Sequence, residues 1–198
     1  MKAPTLSDVK DAAKRIDNHV TLTPLRLSHY LSEIAGREVR LKMETMQDTG
    51  AFKLRGATNA LLSLPEGLRA RGVVTMSSGN HGRGLAFASK NLGIPCTVYM
   101  SELVPSVKID AIRALGADVV IAGPSQETAD VAVLEHVERD GVTYVHAFDQ
   151  PDIIAGQGTL GLEILEDMPD TASVLIPLSG GGLFAGVAMA MKSLNPNI

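Results

Sequence analysis

The chain has 198 residues, 45% of them hydrophobic and 20% charged, with 18 Lys and Arg against 22 Asp and Glu and a formal net charge of -4. A chain of this length buries about 70% of its unfolded surface, which is enough for one or two folded domains and argues against disorder. The negative charge, the 4% of aromatic residues and the lack of Trp exclude a basic or base-stacking surface, so nucleic-acid binding is not expected.

Cysteine and histidine usage argues against disulfides and metal sites. The single cysteine, Cys96, has no partner for an intramolecular disulfide and favours a reducing compartment. No metal-ligand spacing is shared by His19, His29, His136 and His146. The first 15 residues lack the apolar run of a signal peptide, and the apolar stretch 183–191 is too short to cross a bilayer. We therefore expect a cytoplasmic protein without a metal or a membrane partner.

Short β-branched runs alternate with longer amphipathic stretches along the chain. Strands are predicted at residues 72–77, 95–100, 117–122 and 172–177, because each run is apolar and bounded by Gly or Pro. Helices are predicted at residues 54–64, 85–92, 107–115, 126–139 and 153–166, with a last helix after the glycines at 180–182. This alternation is typical of an α/β fold with a parallel sheet and helices on both faces.

Two segments are predicted as domain boundaries, a loop at residues 65–72 and a polar turn at residues 148–151. They separate a small α/β domain, residues 66–149, from a larger domain formed by residues 1–65 and 150–198. A cleft between two such domains is a common place for a ligand.

The first candidate for chemistry is Lys53, near the start of a predicted helix. Asp48 or Thr49 is predicted to cap this helix, so that Lys53 lies in the first turn, where the helix dipole disfavours a cation. The neighbouring Ala51 and Phe52 add desolvation, and both effects lower the pKa of the amine. A neutral amine is what Schiff-base chemistry requires. The alternative is a solvated lysine at a helix start.

The second candidate is the run Ser-Ser-Gly-Asn-His-Gly-Arg-Gly at residues 77–84, which joins a predicted strand to a helix beginning near Asn80. A glycine-rich turn before a helix presents free backbone N–H groups and can bind a carboxylate or a phosphate. The side chains of Asn80 and His81 add donors at the carboxyl end of the strand, where sites in α/β folds form. A plain capped turn with a surface histidine is the alternative.

The third candidate is the run Ser-Gly-Gly-Gly-Leu-Phe-Ala-Gly at residues 179–186, between a predicted strand and the last helix. Three consecutive glycines let the backbone approach an anion closely, and a helix N-terminus favours a phosphate there. Gly180, Gly182 and Ala185 also match a loose dinucleotide pattern, so a dinucleotide-binding oxidoreductase is an alternative. The sequence has no Gly-Lys-Ser/Thr phosphate loop, no HExxH and no GxSxG.

Taken in order, these runs resemble the fold type II family of pyridoxal-phosphate enzymes, the threonine dehydratase and serine racemase group. The resemblance rests on Lys53 in Ala-Phe-Lys-Leu-Arg-Gly, on Ser-Gly-Asn-His at 78–81, on Ile-Ala-Gly-Gln-Gly-Thr at 154–159, and on the serine and glycines at 179–182. It covers nearly the whole chain. It implies a tryptophan synthase β-like α/β fold with two subdomains, the second of them truncated.

The resemblance implies a role for each matching residue. Lys53 would hold pyridoxal 5'-phosphate as a Schiff base and later move the α-proton of the substrate. Phe52 would pack against the cofactor ring, and Asn80 would hydrogen-bond its 3-hydroxyl group. Ser78 would be the acid or base on the opposite face of the ring.

Two binding pockets follow from the same resemblance. The substrate carboxylate would be bound by Ser78, Gly79, Asn80 and His81, and the cofactor phosphate by Ser179, Gly180, Gly181 and Gly182. The sequence departs from the family pattern at two positions. Ser179 replaces the first of four usual glycines, and Arg83 stands where glutamine is common, which changes the polarity near the pocket.

The implied activity is that of a dehydratase, or ammonia-lyase, which eliminates water from a β-hydroxy amino acid such as threonine or serine to give a 2-oxo acid and ammonium. The runs at residues 80–84, 100–105 and 177–183 are most similar to the hydroxyectoine-utilisation dehydratases, which implies a related hydroxy amino acid. Amino-acid racemisation by Lys53 and Ser78 is one alternative. A non-catalytic protein that binds the cofactor or an amino acid is another.

Catalytic chains of this family are longer, so the chain resembles an amino-terminal portion of one. The later strands supply the partner of the pyridine nitrogen and, in some members, a divalent-cation site. A truncated sheet would expose a strand edge and apolar helix faces, and we therefore expect a homo-oligomer.

Overall fold

The computed structural model describes residues 2–198. The α-helices within these residues are α1 (Leu6–Ile16), α2 (His29–Ala35), α3 (Lys53–Ser63), α4 (Glu66–Arg71), α5 (Asn80–Leu92), α6 (Ser106–Arg113), α7 (Gln126–Asp140), α8 (Pro151–Asp167) and α9 (Gly182–Leu194). The strands are β1 (Leu25–Leu27), β2 (Arg40–Lys42), β3 (Val73–Met76), β4 (Cys96–Met100), β5 (Asp118–Ile121) and β6 (Thr143–Tyr144). A short 3-10 helix covers Glu44–Met46.

Four strands form a parallel sheet in the order β5, β4, β3, β6. Alternate residues of these strands face opposite sides, so Val73 packs with α3, α5 and α6 while the adjacent Val74 packs with α7. Both faces are therefore covered, which explains why the strands are nearly continuous apolar runs. The predicted α/β class, with helices on both faces of a parallel sheet, is confirmed.

Helix α8 lies outside this sheet and packs against α1, α3 and α9. Its contact with α3 is close because two glycines face each other: a Cβ built on Gly156 would lie 2.6 Å from the Cα of Gly56. The glycines in the run at 154–159 are therefore required for packing.

The predicted helices are all present, whereas α1, α2 and the 3-10 helix were not predicted. Three other differences from the predicted elements have local causes. Residues predicted as a loop before β3 form α4, a helix of 6 residues with Glu66 at its start and Arg71 at its end. Charges placed in this way favour a helix even over a short length. The antiparallel pair β1 and β2 and the short strand β6 were not predicted, because strands of 3 and 2 residues are too short to show a period.

The predicted strand at residues 172–177 is wrong. Within the described chain this segment is irregular and pairs with no strand, and the Leu175 side chain is 98% exposed. Val174 and Ile176 instead pack against residues of α8 and α9. A β-branched run forms a strand only when it can pair with another strand. No strand of the four-stranded sheet pairs with residues 172–177.

All four parallel strands and helices α4 to α7 lie within residues 66–149. We propose, as the sequence predicted, that these residues form the small domain and that the flanking segments form the larger one. Across residues 2–198 no helix combines the length and the apolar character needed to cross a membrane.

Candidate functional site

The segment that follows β6, residues 145–148, touches all three motifs of the sequence. The Nζ atom of Lys53 donates a hydrogen bond to the carbonyl of Ala147 at 2.6 Å. The Nε2 atom of His81 donates to the carbonyl of Val145 at 3.2 Å. The Phe148 ring fills the space where a Cβ of Gly180 would stand. Positions far apart in sequence are thus assembled around one short loop.

Lys53 is the first residue of α3 and is partly buried. Burial lowers the pKa of its amine below the usual value, the direction that the sequence predicted. The predicted cap is wrong: the N-cap position is Phe52, in helical conformation, and it makes no side-chain capping bond. Asp48 and Thr49 lie one turn too early, because the chain bends at Gly50, with φ of +71°, before α3 begins.

The Phe52 ring lies beside this amine and also packs against α8 and α9. Its ring centroid is 5.4 Å from the Nζ atom of Lys53. The ring packs with the buried cluster of Leu160, Val187 and Met191 from α8 and α9. An aromatic face therefore borders the amine and is held by a rigid helix pair.

Helix α5 begins at the second motif, with Gly79 at its N-cap and no side-chain cap. The N–H groups of its first turn are therefore available to an external acceptor. Ser78 and Gly79 are partly buried and Asn80 is exposed, so a small ligand can reach this helix start. The site can bind a carboxylate through backbone donors.

The side chain of His81 is 2% exposed and turns inward to Val145. Burial, helped by the charges of Lys53 and His146, lowers the pKa of His81 to about 4. The ring is therefore neutral at pH 7, and its Nδ1 atom has no hydrogen-bond partner among the described residues. What His81 offers to a ligand at the start of α5 is its backbone N–H rather than a charged ring.

Helix α9 begins at the third motif in the same uncapped way. Its N-cap is Gly181, with φ of +87°, a left-handed conformation that favours glycine. A Cβ on Gly182 would lie 2.5 Å from the carbonyl oxygen of Phe148, so the chain here accepts only glycine. Ser179 and Gly180 are exposed. The result is an open cradle of backbone N–H groups, which suits a phosphate.

The segment 145–148 was not singled out from the sequence. It has no motif, and its one signal is its place at the carboxyl end of a strand, the same edge of the sheet as the run 77–84. His146 shapes it: the Nδ1 atom accepts hydrogen bonds from the N–H groups of Phe148 and Asp149, at 3.2 and 2.8 Å. The loop is thereby fixed by the side chain of a histidine to which the sequence assigned no role.

Other candidate sites lie elsewhere or are absent. No group of three or more His, Cys, Asp or Glu side chains in residues 2–198 is arranged to hold a metal ion. Two grooves of about 380 and 330 Å³ border residues 2–4 and the start of α8, and Lys53 lines neither of them. The candidate site is therefore formed by the amine of Lys53 and the uncapped starts of α5 and α9.

Comparison with known proteins identifies what this arrangement is similar to. Residues 16–198 match the family model described as "Pyridoxal-phosphate dependent enzyme". An L-threonine ammonia-lyase from Thermotoga maritima is 47% identical over 194 residues, which are 98% of this chain and 48% of that protein.

Two solved structures have the same fold over almost the whole chain. Serine racemase from Dictyostelium discoideum superimposes with a TM-score of 0.95 and 42% identity, covering 98% of this chain and 64% of that one. The processed form of threonine deaminase isoform 2 from Solanum lycopersicum gives a TM-score of 0.92 and 38% identity, covering 99% of this chain and 56% of that one. The chain spans about half the length of the relatives it matches.

Proposed function

The chain belongs to the pyridoxal-phosphate dependent enzymes, and from this premise we propose that the whole protein is a dehydratase, or ammonia-lyase. It eliminates water from a β-hydroxy amino acid such as threonine or serine and yields a 2-oxo acid and ammonium. The observation that carries the proposal is the amine of Lys53. Burial lowers the pKa of this amine, and the loop 145–148 places it together with the uncapped starts of α5 and α9. The likeness to an L-threonine ammonia-lyase supports the substrate class.

The residues present fit pyridoxal phosphate. Lys53 would carry it covalently, and the uncapped start of α9 offers backbone N–H groups that suit its phosphate, next to Gly180 and Gly182, where Phe148 leaves no room for a side chain. Asn80 would bind the ring hydroxyl, and Phe52 would pack against the ring. When bound, the cofactor supplies an electron sink for negative charge at the α-carbon of the substrate.

The chain's own residues then bind the substrate and move a proton. The uncapped start of α5, with Ser78, Gly79, Asn80 and His81, binds the substrate carboxylate through backbone N–H groups. The Nζ atom of Lys53 takes the α-proton, since burial favours its neutral form. The carbonyl of Ala147 accepts a hydrogen bond from the ammonium group that results. Ser78 is the acid or base on the opposite face.

Amino-acid racemisation is a second candidate, because a serine racemase is 42% identical over 198 residues, the full length of this chain. It would use Lys53 and Ser78 as bases on opposite faces of the α-carbon. Chiral analysis of the remaining amino acid separates it from elimination, which releases a 2-oxo acid. The hydroxyectoine-related substrate stays a prediction.

Reductive trapping tests the proposal. The chain is incubated with pyridoxal phosphate, reduced with borohydride and mapped by peptide mass spectrometry. We expect the label on Lys53, its loss in Lys53→Ala, and a fall of at least about 10³-fold in 2-oxo acid release in that variant, because the nucleophile and the base are removed together. Lys90→Ala, which removes an exposed lysine of α5, is the matched control and should label as the wild type does.

The outcomes separate the candidates. A label on other lysines with Lys53 unmodified contradicts the proposal. A label on Lys53 without any 2-oxo acid or inverted amino acid favours a binding protein without catalysis.

We also propose that the protein works in the cytoplasm as a homo-oligomer on a small amino acid, without a nucleic-acid or membrane partner. The buried thiol of Cys96 is consistent with a reducing compartment, since burial raises its pKa to about 11 and keeps it protonated. Exposed apolar side chains such as Leu175 and Leu178 support self-association.

A further inference from the structure

We infer that Arg55 is a positioning residue for the reaction: its buried guanidinium fixes the first turn of α3, and thereby the amine of Lys53, against the 3-10 helix and α8. This inference rests on the function proposed above. It concerns a residue of the run Ala-Phe-Lys-Leu-Arg-Gly to which the resemblance assigned no role.

The guanidinium of Arg55 is fully buried and has a partner for every donor. Its Nε and Nη2 atoms form a bidentate pair with Glu44 at 2.8 and 2.9 Å. Its Nη1 and Nη2 atoms form a second such pair with Glu163, and Nη1 also donates to the Thr159 hydroxyl at 3.2 Å. Arginine has five N–H donors in a planar fork, and this arrangement uses all of them.

These partners lie on separate elements. Glu44 belongs to the 3-10 helix after β2, and Glu163 and Thr159 belong to α8. Lys42 of β2 binds Glu163 at 2.7 Å and Asp167 at 3.8 Å, so each carboxylate of the cluster faces at least one cation. A buried pair of this kind adds little net stability but specifies one arrangement of its elements.

The cluster acts on Lys53 because the two residues are on one short, uncapped helix. Residues two positions apart on an α-helix point about 200° apart, so Arg55 faces the 3-10 helix and α8 while Lys53 faces the loop 145–148. No side-chain cap holds the first turn of α3. A rotation of the helix by about 10° would move an atom about 8 Å from its axis by more than 1 Å, enough to break the bond from Lys53 to Ala147.

The variant Arg55→Lys tests this inference, because lysine keeps the charge but lacks the planar fork. We expect the pKa of the Lys53 amine, measured from the pH dependence of trace acetylation with mass mapping, to rise toward the ordinary lysine value as the first turn loosens. The fraction of borohydride-trapped cofactor on Lys53 should fall about 10-fold. Where turnover is measurable, kcat should fall by 10-fold or more while KM changes by less than about 3-fold.

The matched control is Lys42→Met. It removes another buried ion pair of the same Glu163 and leaves every bond of Arg55 in place. We expect a lower unfolding free energy, with the amine pKa and the trapping at Lys53 as in the wild type. If Arg55→Lys does not fold, Thr159→Val removes one acceptor of Arg55 without changing any charge and should shift both readouts in the same direction by a smaller amount.

A folded Arg55→Lys or Thr159→Val variant with the amine pKa and the trapping of the wild type would overturn the inference and leave Arg55 a stabilising residue only. The inference would also be overturned if Lys42→Met changed the amine pKa and the trapping at Lys53 as much as Arg55→Lys does. Failure of the proposed function looks different: the wild type itself would then not be trapped at Lys53, while the acetylation pKa would still decide the role of Arg55.

Discussion

Burial governs the protonation of two residues that share one loop, Lys53 and His81. The Lys53 amine donates to Ala147 and the His81 ring to Val145, two residues apart. For both side chains, removal from water disfavours the charged form and lowers the pKa. The lowered pKa makes the amine of Lys53 more readily available as a base, and the neutral imidazole of His81 can hold the loop without adding a positive charge beside it.

The depressed pKa of His81 predicts a pH-dependent stability. The unfolded ring titrates near 6.5 and the folded ring near 4, so the unfolded chain binds the proton first as the pH falls. Stability is therefore full above about pH 6.5 and is lost as the pH falls toward 4, by about 2 kcal/mol between pH 7 and pH 5. Urea unfolding at pH 7 and pH 5 measures this loss. Between these pH values the unfolding free energy of the wild type should fall by about 2 kcal/mol more than that of His81→Gln.

Glutamine retains an amide donor for the Val145 carbonyl, so the comparison isolates the titration from the hydrogen bond. The control is His29→Gln, whose side chain is exposed in the folded chain. It should keep the pH dependence of the wild type. Equal pH dependence in His81→Gln and the wild type would contradict the assignment of a buried, neutral ring.

The helices differ in whether a side chain caps their N-terminus. Helices α1 and α7 begin with complete capping boxes, at Thr5 and Ser125. Helices α3, α5 and α9, which carry the three motifs, begin without a side-chain cap, as do α4, α6 and α8. A cap contributes about 1 kcal/mol, so the uncapped starts sacrifice stability and keep N–H groups free. The starts of α5 and α9 can use these groups to bind anions.

The close contact of α3 with α8 predicts a large effect of a small substitution. In Gly156→Ala the new Cβ would lie 2.6 Å from the Cα of Gly56 and 2.8 Å from the carbonyl of Arg55, and backbone cannot move aside cheaply. We expect the unfolding free energy to fall by about 1–3 kcal/mol. Urea denaturation measures this change.

Gly67→Ala is the matched control, since it lies in α4 with nothing within 4 Å of the new Cβ. Its higher helix propensity should raise the unfolding free energy by up to about 1 kcal/mol. A Gly156→Ala variant as stable as the wild type would show that α3 and α8 are not in close contact.

At the scale of the whole molecule, the surface beside α8 and α9 exposes several apolar side chains. Leu175 is 98% exposed, Leu178 69% and Phe184 48%, and the segment 172–178 has no strand beside it in the described structure. Unpaired backbone next to exposed apolar side chains favours association with other chains. We therefore expect the self-association of these 198 residues to depend on this surface more than on the sheet.

The double variant Leu175→Lys and Leu178→Lys tests that dependence. We expect less self-association in sedimentation velocity and an unfolding free energy within about 0.5 kcal/mol of the wild type, because the replaced side chains are exposed. Leu103→Lys, at a residue that is 80% exposed but distant in sequence, should leave association unchanged. Equal association in all three proteins would contradict this role of the surface.

The sequence by itself determined the α/β class, the main helices and strands of the sheet, and the three motifs, because periodicity and glycine-rich turns are local signals. It also indicated the lowered pKa of Lys53, since its neighbours and its place at a helix start are adjacent in sequence. It could not identify the loop that joins the motifs. Lys53 and Ala147 are 94 positions apart, and no local pattern links them.

Only the tertiary structure decided which segments lie side by side. Arg55 finds Glu163 across 108 positions, and the run 172–177 is irregular because no strand lies next to it. Hydrogen bonding between strands and burial of charged pairs depend on neighbours that the chain brings together only by folding. For that reason the candidate site residues could be proposed from the sequence, whereas the contacts that hold them in place could not.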